Sequence, residues 1–558
     1  MRWLGLSLAL AVTASGVAVG CYSTGDGTSP PPKQIYFPVG LGVSRGGNVL
    51  YVANADFDLQ WNGGTVQSYD LHLIRKSVVL TIQDPNNPNI GAVRPPSGVK
   101  CNTAIQEPPT YRTDESGQRQ PLGETCAPPV DSSLYVRDSV TIGAFATDLQ
   151  VWRKSLGRLL IPVRGDASLT WADIDVDDPN VAPPENASRS TDGSFAYGPF
   201  NIRCGAGQDG RCDASHHAGT DPNDNTRHIT MPGEPFGMAQ SDDGEIAAIT
   251  HQTDTKTSLL SISDRPMLQF ILEGVPTGGN GIVAIPHDPD AFNPGEVPSP
   301  AFLQTSRASA ELALLRYYSD EGSGKQSSLR RPFLAKETTF TLTANAGGND
   351  SRGIVIDPTP RIACKERAPA GDQEARKKCA QLPARVFFAN RSPASMIVGE
   401  VGEPSASGDG TYDADRLTVF GNVPLSFGPS RLYLAPIVDA NGNYALRVFI
   451  VCFDAASIFV FDPELGTLEN IIRTGPGPFA MAFDPFDLKD AALHKRVEAD
   501  PREPGLDLKR YRFAYIASFT QSYIQVLDLD NSRDKANPDT FERIVFTLGL
   551  PTVPRGSQ

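Results

Sequence analysis

Apolar residues in this chain fall in short runs rather than long amphipathic stretches. The runs are rich in β-branched and aromatic residues and are bounded by Gly, Pro, Asn and Asp, the punctuation of strands and turns. A 3.6-residue period is scarce, so the chain reads as all-β. Seven paired runs stand out, at 51–70, 159–175, 246–262, 301–318, 385–401, 448–462 and 513–528. Within each pair the runs alternate or are continuously apolar, the pattern of a sheet covered on both faces. Such a sheet cannot cover itself. A ring of sheets can, and it leaves only short, protected edges. The expectation is a β-propeller of seven blades, each a four-stranded antiparallel sheet, with six or eight as the other possible counts.

The repeated unit is a Gly/Pro turn, a strand, a polar turn, a strand ending in a small residue plus Asn, Ser or Thr, then a strand ending in Asp. Clear copies are "VGLGVSRGGNVLYVANADFDLQWNGGTVQSYDL" at 39–71 and "PGEPFGMAQSDDGEIAAITHQTDTKTSLLSIS" at 232–263. Tyr51-Val52-Ala53-Asn54, Tyr515-Ile516-Ala517-Ser518 and Phe388-Ala389-Asn390 resemble the Tyr-Val-Thr-Asn repeat of seven-bladed propellers. Lactonase-like and surface-layer propellers share that repeat, and the resemblance implies their fold.

From Lys33 to Gly549 there are roughly 74 residues per blade, against ~40–45 in compact propellers. The surplus sits in polar, Pro-rich insertions at 84–132, 177–228, 286–299, 319–335, 358–383, 402–415 and 484–510. Insertions at equivalent connections emerge on one face, so one end of the disc is expected to carry long loops. Six cysteines lie in these loops. Their closeness along the chain predicts Cys101 paired with Cys126, Cys204 with Cys212, and Cys364 with Cys379, each stapling an insertion. Cys452 lies in a strand-like run and reads as a buried free thiol. Closure is expected from a shared blade, the C-terminal run at 541–550 completing the sheet begun at 33–44.

The start of the chain adds an address. Arg2 precedes an apolar stretch from Leu4 to Val19, shorter than the ~20 residues that span a bilayer and built like a secretory leader. Ala18-Val19-Gly20-Cys21 resembles the bacterial lipobox, which implies removal of 1–20 and diacylglycerol on Cys21. Residues 21–33 then form a tether, 34–550 the propeller and 551–558 a tail. Tyr22 after the cysteine implies, by the same resemblance, outer-membrane sorting within the cell envelope, on the periplasmic or surface side. A net charge of −14 argues against a nucleic-acid partner, which needs a cationic face.

Chemistry-bearing motifs are few. There is no HExxH, GxxxxGK or CxxC. The loop at 212–228 groups Asp213, His216, His217, Asp221 and His228 as a weak metal candidate. Asp221-x-Asn223-x-Asn225 and Asp173-x-Asp175-x-Asp177 echo the start of a calcium loop without its glycine and glutamate, so no cofactor is expected, with calcium as the alternative. Residues just past the repeated second strands, Asn54, Arg164, His251, Ser306, Asn390, Asp454 and Ser518, are expected to ring the channel or top face and bind a polar ligand. The functional expectation is a lipid-anchored envelope propeller that binds or scaffolds a protein or glycan partner. The alternative is an enzyme of lactonase-like or quinoprotein-like type.

Overall fold

The computed structural model describes residues 27–83, 111–113, 119–121, 129–205 apart from 156, 185, 189 and 192, and 210–319. It further describes 331–342, 349–404, 412–502, 512–532 and 540–551. Seven antiparallel sheets follow one another along the chain. In each, strands a to d run outward from the axis. The first blade is Pro38–Val43, Val49–Asn54, Gly64–Asp70 and Val136–Ile142. The seventh is Pro478–Phe483, Phe513–Ser518, Tyr523–Asp528 and Ile544–Leu548. Each of the seven paired runs of the sequence is a b–c hairpin: 246–262, for example, carries Ile246–His251 and Lys256–Ser261.

Burial follows strand position. Strand b is buried at every residue in the first, third, fourth and seventh blades, as continuous apolarity demands. The outer strand Tyr412–Pro424 alternates half-buried and exposed positions over much of its length. Seven buried clusters lie one at each blade interface. One joins Leu50 and Val52 of the first blade to Tyr515 and Val526 of the seventh, and another joins Leu160 and Trp171 to Ala247 and Ile249. Apolar burial at about 25 cal/mol per Å² is the term that drives this stacking.

Six of the seven long insertions lie wholly in an a–b or a c–d connection. The one at 177–228 starts in the second blade's c–d connection, but beyond Ile202–Arg203 it continues as the d–a connection and meets b–c turns through Arg211–Asn62 and His217–Asp166. In an up-and-down sheet a–b and c–d connections share one end, so the six lie toward one face of the disc. The b–c turns and the other d–a turns are shorter and form the opposite face. Of the expected disulfides, Cys204–Cys212 and Cys364–Cys379 are present, with Cα atoms 4.8 and 5.3 Å apart. Cys101 and Cys126 lie outside the described residues. Cys452 is a buried free thiol.

Closure differs from the expectation of a shared blade. Ile544–Leu548 is the outer strand of the seventh blade, and the first blade takes its outer strand, Val136–Ile142, from its own segment. The insertion after Asp70 makes that possible, because it leads the chain away and back again. On its way it lends Pro129–Val130 as a fifth, parallel strand beside Ile544–Leu548 and Tyr111–Thr113 to the sixth blade. It also carries the helix Leu71–Gln83, begun where Asp70 Oδ1 accepts the Leu73 amide at 3.0 Å, an N-cap arrangement.

From that helix Arg75 reaches Asp484 of the seventh blade, both side chains at most 4% exposed. Arg75 Nη1 also donates to Gly47 O, and Asp484 accepts the Phe513 amide and the Tyr515 hydroxyl, each at 3.1 Å. On the same a–b turn, Arg502 donates to Gly46 O and Asn48 Oδ1 at 2.8 Å, while Asp177 accepts the Gly46 and Asn48 amides at 2.7 and 2.9 Å. Gly47 has φ +73°, and a Cβ at Gly46 would meet Asp177 at 2.6 Å. One turn therefore ties the first blade to its neighbours on both sides. Asp484→Ala strands a buried guanidinium and is expected to cost about 3–5 kcal/mol, read as a lower denaturation midpoint in urea. Lys378→Ala, whose pair with Glu374 is exposed, is expected to leave the midpoint in place.

Candidate functional site

The innermost strands do not meet on the axis. They enclose a cavity of about 320 Å³ to which all seven blades contribute, among them Leu41, Gln150, Met238, Asn280, Arg352 and Tyr433. A repeated device shapes it. Six of the seven a strands shift register near their start, at 38/40, 235/238, 279/282, 351/354, 429/431 and 478/480. Such bulges bend a strand and raise its twist. Glycines let the blades close in: a Cβ at Gly237 would lie 1.9 Å from Asn280 O, and one at Gly281 would lie 2.0 Å from Arg352 O.

One ion pair crosses this space. Arg431 of the sixth blade donates to Asp148 Oδ1 (3.0 Å) and to Thr147 O (2.7 Å) of the second. Its guanidinium also lies 4.5 Å from the Phe479 ring centroid, a cation–π contact. Burial works against the charge on Arg431, but Tyr433 and Asp148 more than offset it and raise its pKa above the ordinary value. Burial likewise pushes Tyr433 up. Asn280, one of the residues lining the cavity, has its Nδ2 buried with no partner among the described residues.

The seven residues expected to ring the channel stand one strand further out, at or just past the short-loop ends of the b strands. None is among the residues lining the axial cavity. Five are fully or almost fully buried, and four of these hydrogen-bond nearby strands and turns. Asn54 Nδ2 donates to Thr65 Oγ1 and Gln67 Oε1 at 2.9 and 3.0 Å. His251 bonds Gly233 O and Ser258 Oγ, both at 2.8 Å. Ser306 donates to Thr277 O at 2.6 Å and Asn390 to Pro393 O at 2.7 Å, while Ser518 Oγ is buried with no partner among the described residues. Arg164 pairs with Glu234, and Asp454 pairs with Arg391 at 2.7 Å. Sequence reading missed Arg431 and Asp148. The available signal was an arginine within the apolar first strand "PSRLYLAPIV".

The acidic and histidine candidates are engaged locally. Asp213 accepts from Ser215 N and from His216, whose ring stacks on Trp171 with centroids 4.1 Å apart. His217 meets Asp166 at 2.9 Å, Asp221 caps the Asn223 amide at 2.8 Å, and His228 is exposed. Asp173, Asp175 and Asp177 serve Arg158, Arg203 and the 44–48 turn respectively. Among the described residues no three His, Cys, Asp or Glu side chains gather as a metal site.

On the insertion face the loops brace one another. Lys365 pairs with Asp288 and Asp290 at 2.8 and 2.6 Å, Arg376 with Asp290 at 3.1 Å, and Lys489 with Glu366 at 2.7 Å. His287 meets Asp415 at 2.7 Å, and Asp415 also pairs with Arg316. Beside this brace lies a second cavity of about 710 Å³, lined by Arg45, Tyr444, Phe486, Asp487, Arg496 and Glu498, among others. It sets two aromatic rings among charges of both signs.

No protein-family model matches the chain, and no curated protein does. Among solved structures, a candidate 6-phosphogluconolactonase of Bacteroides uniformis shares 12% identity over 81% of this chain and 88% of its own, with a TM-score of 0.39. Hydrazine synthase of Kuenenia stuttgartiensis shares 11% over 91% and 99%, at 0.41. The periplasmic gluconolactonase of Pseudomonas aeruginosa shares 14% over 79% and 86%, at 0.34. The blade count rests on the strand pairing itself, and likenesses at this level carry no argument about chemistry.

Two buried histidines and a buried aspartate set opposing pH dependences. Burial holds the His251 imidazole down at about 4, and that of His72 likewise. The unfolded chain then binds more protons, so stability falls as pH drops from about 6.5 to about 4. Burial lifts Asp56 from 3.8 to about 7, so there the folded chain holds the extra proton and stability falls as pH rises from about 4 to about 7. His251→Gln is expected to reduce the acid-side loss and Asp56→Asn the neutral-side loss, read by urea denaturation at acidic and mildly alkaline pH. Asn suits position 56, where φ is +50°.

Proposed function

We propose that this chain is a lipid-anchored propeller of the cell envelope that binds a protein or glycan partner on its insertion face. The observation that carries this reading is the common origin of the insertions. Six of the seven lie wholly in a–b or c–d connections, several are cross-linked by ion pairs, and one is stapled by Cys364–Cys379. Loops held by a rigid scaffold are where binding residues concentrate, and bracing them beforehand lowers the ordering cost of association.

The cavity of about 710 Å³ on this face is within the range of ligand sites. Tyr444 and Phe486 give it flat apolar walls, and Arg45, Arg496 and Glu498 supply donors and acceptors. That mixture suits a partner presenting hydroxyl, amide and carboxylate groups, as an envelope glycan or an extended polypeptide does. The lipobox-like Ala18-Val19-Gly20-Cys21 supports the anchor, and the oxidised Cys204–Cys212 and Cys364–Cys379 pairs accord with an extracytoplasmic compartment.

The test is retention on immobilised envelope glycan and on envelope protein extract, comparing wild type with an Arg45→Glu/Arg496→Glu variant. Both arginines are exposed, so the fold is expected to survive. Retention is expected to weaken by about tenfold or more, equivalent to about 1.4 kcal/mol. Equal retention of the two proteins would sink this placement of the site.

A further inference from the structure

The described chain begins at Gly27, and that end is held on the short-loop face. Asn62, in the b–c turn of the first blade, donates from Nδ2 to Gly27 O at 3.2 Å and from its amide to Thr28 O at 3.0 Å. Cys21 stands six residues earlier, a reach of at most about 20 Å of extended chain. A group attached to Cys21 is therefore confined to the neighbourhood of the 55–63 turn.

The face around that point is aromatic. Phe57 packs edge-on against Phe145 and Phe519, with centroids 5.9 and 5.2 Å away, and lies 5.9 Å from Phe37. Phe519 continues the contact to Phe479 and Phe453 at 5.7 and 6.3 Å. Phe427 adjoins Gly428, whose carbonyl accepts the Phe453 amide at 2.9 Å. The arc thus runs from the second blade through the first and seventh to the sixth. Its rim is open to solvent: Phe57 is 51% exposed, Phe427 80%, Leu59 37%, and Leu550, on the same face, 55%.

An exposed apolar patch of this kind marks an interaction surface. The tether selects the occupant, because acyl chains at Cys21 would bring a bilayer to this face. Most cations near the patch are engaged with protein groups: Arg164 with Glu234, Arg391 with Asp454, and Arg211 with Asn62, while Arg307, in the fourth blade's b–c turn, is exposed. Insertion of apolar side chains is then the main means of contact.

We propose that the short-loop face lies on the lipid bilayer, with Phe57, Leu59, Phe427 and Leu550 entering the headgroup layer and the insertion face turned away. The proposal rests on the lipid-anchor reading above. Because the tether makes the contact intramolecular, four apolar side chains suffice to set an orientation that they would not hold unaided. The same arrangement turns the 710 Å³ cavity toward partners.

Mass spectrometry of the mature N-terminus and hydrogen exchange on phosphatidylcholine vesicles test the two layers separately. The acylated protein on vesicles is compared with a soluble Cys21→Ser form. Exchange is expected to slow several-fold at 55–63 and 426–428, and to stay unchanged at 463–466 and 488–496 on the opposite face. A Phe57→Ser/Phe427→Ser variant is expected to remain anchored and lose that protection. An acylated protein with no protection at 55–63, or with protection on the insertion face, overturns the orientation and leaves the anchor standing. The same protection in concentrated Cys21→Ser protein without vesicles identifies a second copy as the occupant and overturns it too. An unmodified Cys21 overturns the anchor, and the orientation falls with it.

Discussion

A sheet that is apolar on both faces has to be covered on both faces, and each blade meets that requirement only by leaning on two others. The seven interface clusters are the outcome, and in the first and seventh blades the second and third strands, sandwiched deepest, are buried at every residue. A linear stack would leave two faces bare. Closing the ring removes both at once, so the contact between the first and last blades supports the whole disc. That contact has no shared sheet of the usual closing kind. Here apolar packing and the buried Arg75–Asp484 pair hold it, with the Pro129–Val130 strand laid along the outside.

Buried charge is costly unless it is paired and its remaining hydrogen-bonding capacity is met. Asp484 meets that condition with a guanidinium, a backbone amide and a tyrosine hydroxyl. The 44–48 turn is similarly saturated from both sides. These groups fix how the first blade sits against its neighbours, where apolar packing alone would tolerate sliding. The Arg431–Asp148 pair does comparable work on the axis by joining blades that are not neighbours along the chain. The axial cavity is thus spanned as well as lined, and its open volume is smaller than that of the loop-lined cavity on the insertion face.

The two faces of the disc differ because connections alternate. Strand direction reverses at every step, so a–b and c–d turns share one end and b–c and d–a turns the other. Lengthening mostly the first set builds an irregular, cross-braced surface on one side and leaves compact turns on the other, the 204–234 connection excepted. The short side keeps an aromatic arc near the start of the described chain, and the long side keeps the larger cavity.

The b–c hairpins, the seven repeats, the position of every long insertion and two local disulfides were legible in the chain, because each depends on neighbours within a few dozen residues. Strand alternation, turn glycines and cysteine spacing are local signals. What lines the axis was not legible. Asn54, His251, Ser306 and Asn390 share a place in the repeat, yet that place is the second strand, where their polar groups are spent on neighbouring strands and turns, and at the same place Ser518 Oγ is buried with no partner among the described residues. Arg431 and Asp148 lie nearly three hundred residues apart, and only the ring brings them within 3.0 Å. The same holds for Arg75 and Asp484. Partners so distant along the chain are chosen by the curvature that seven twisted sheets accumulate, a property of the assembled disc that no single stretch of residues encodes.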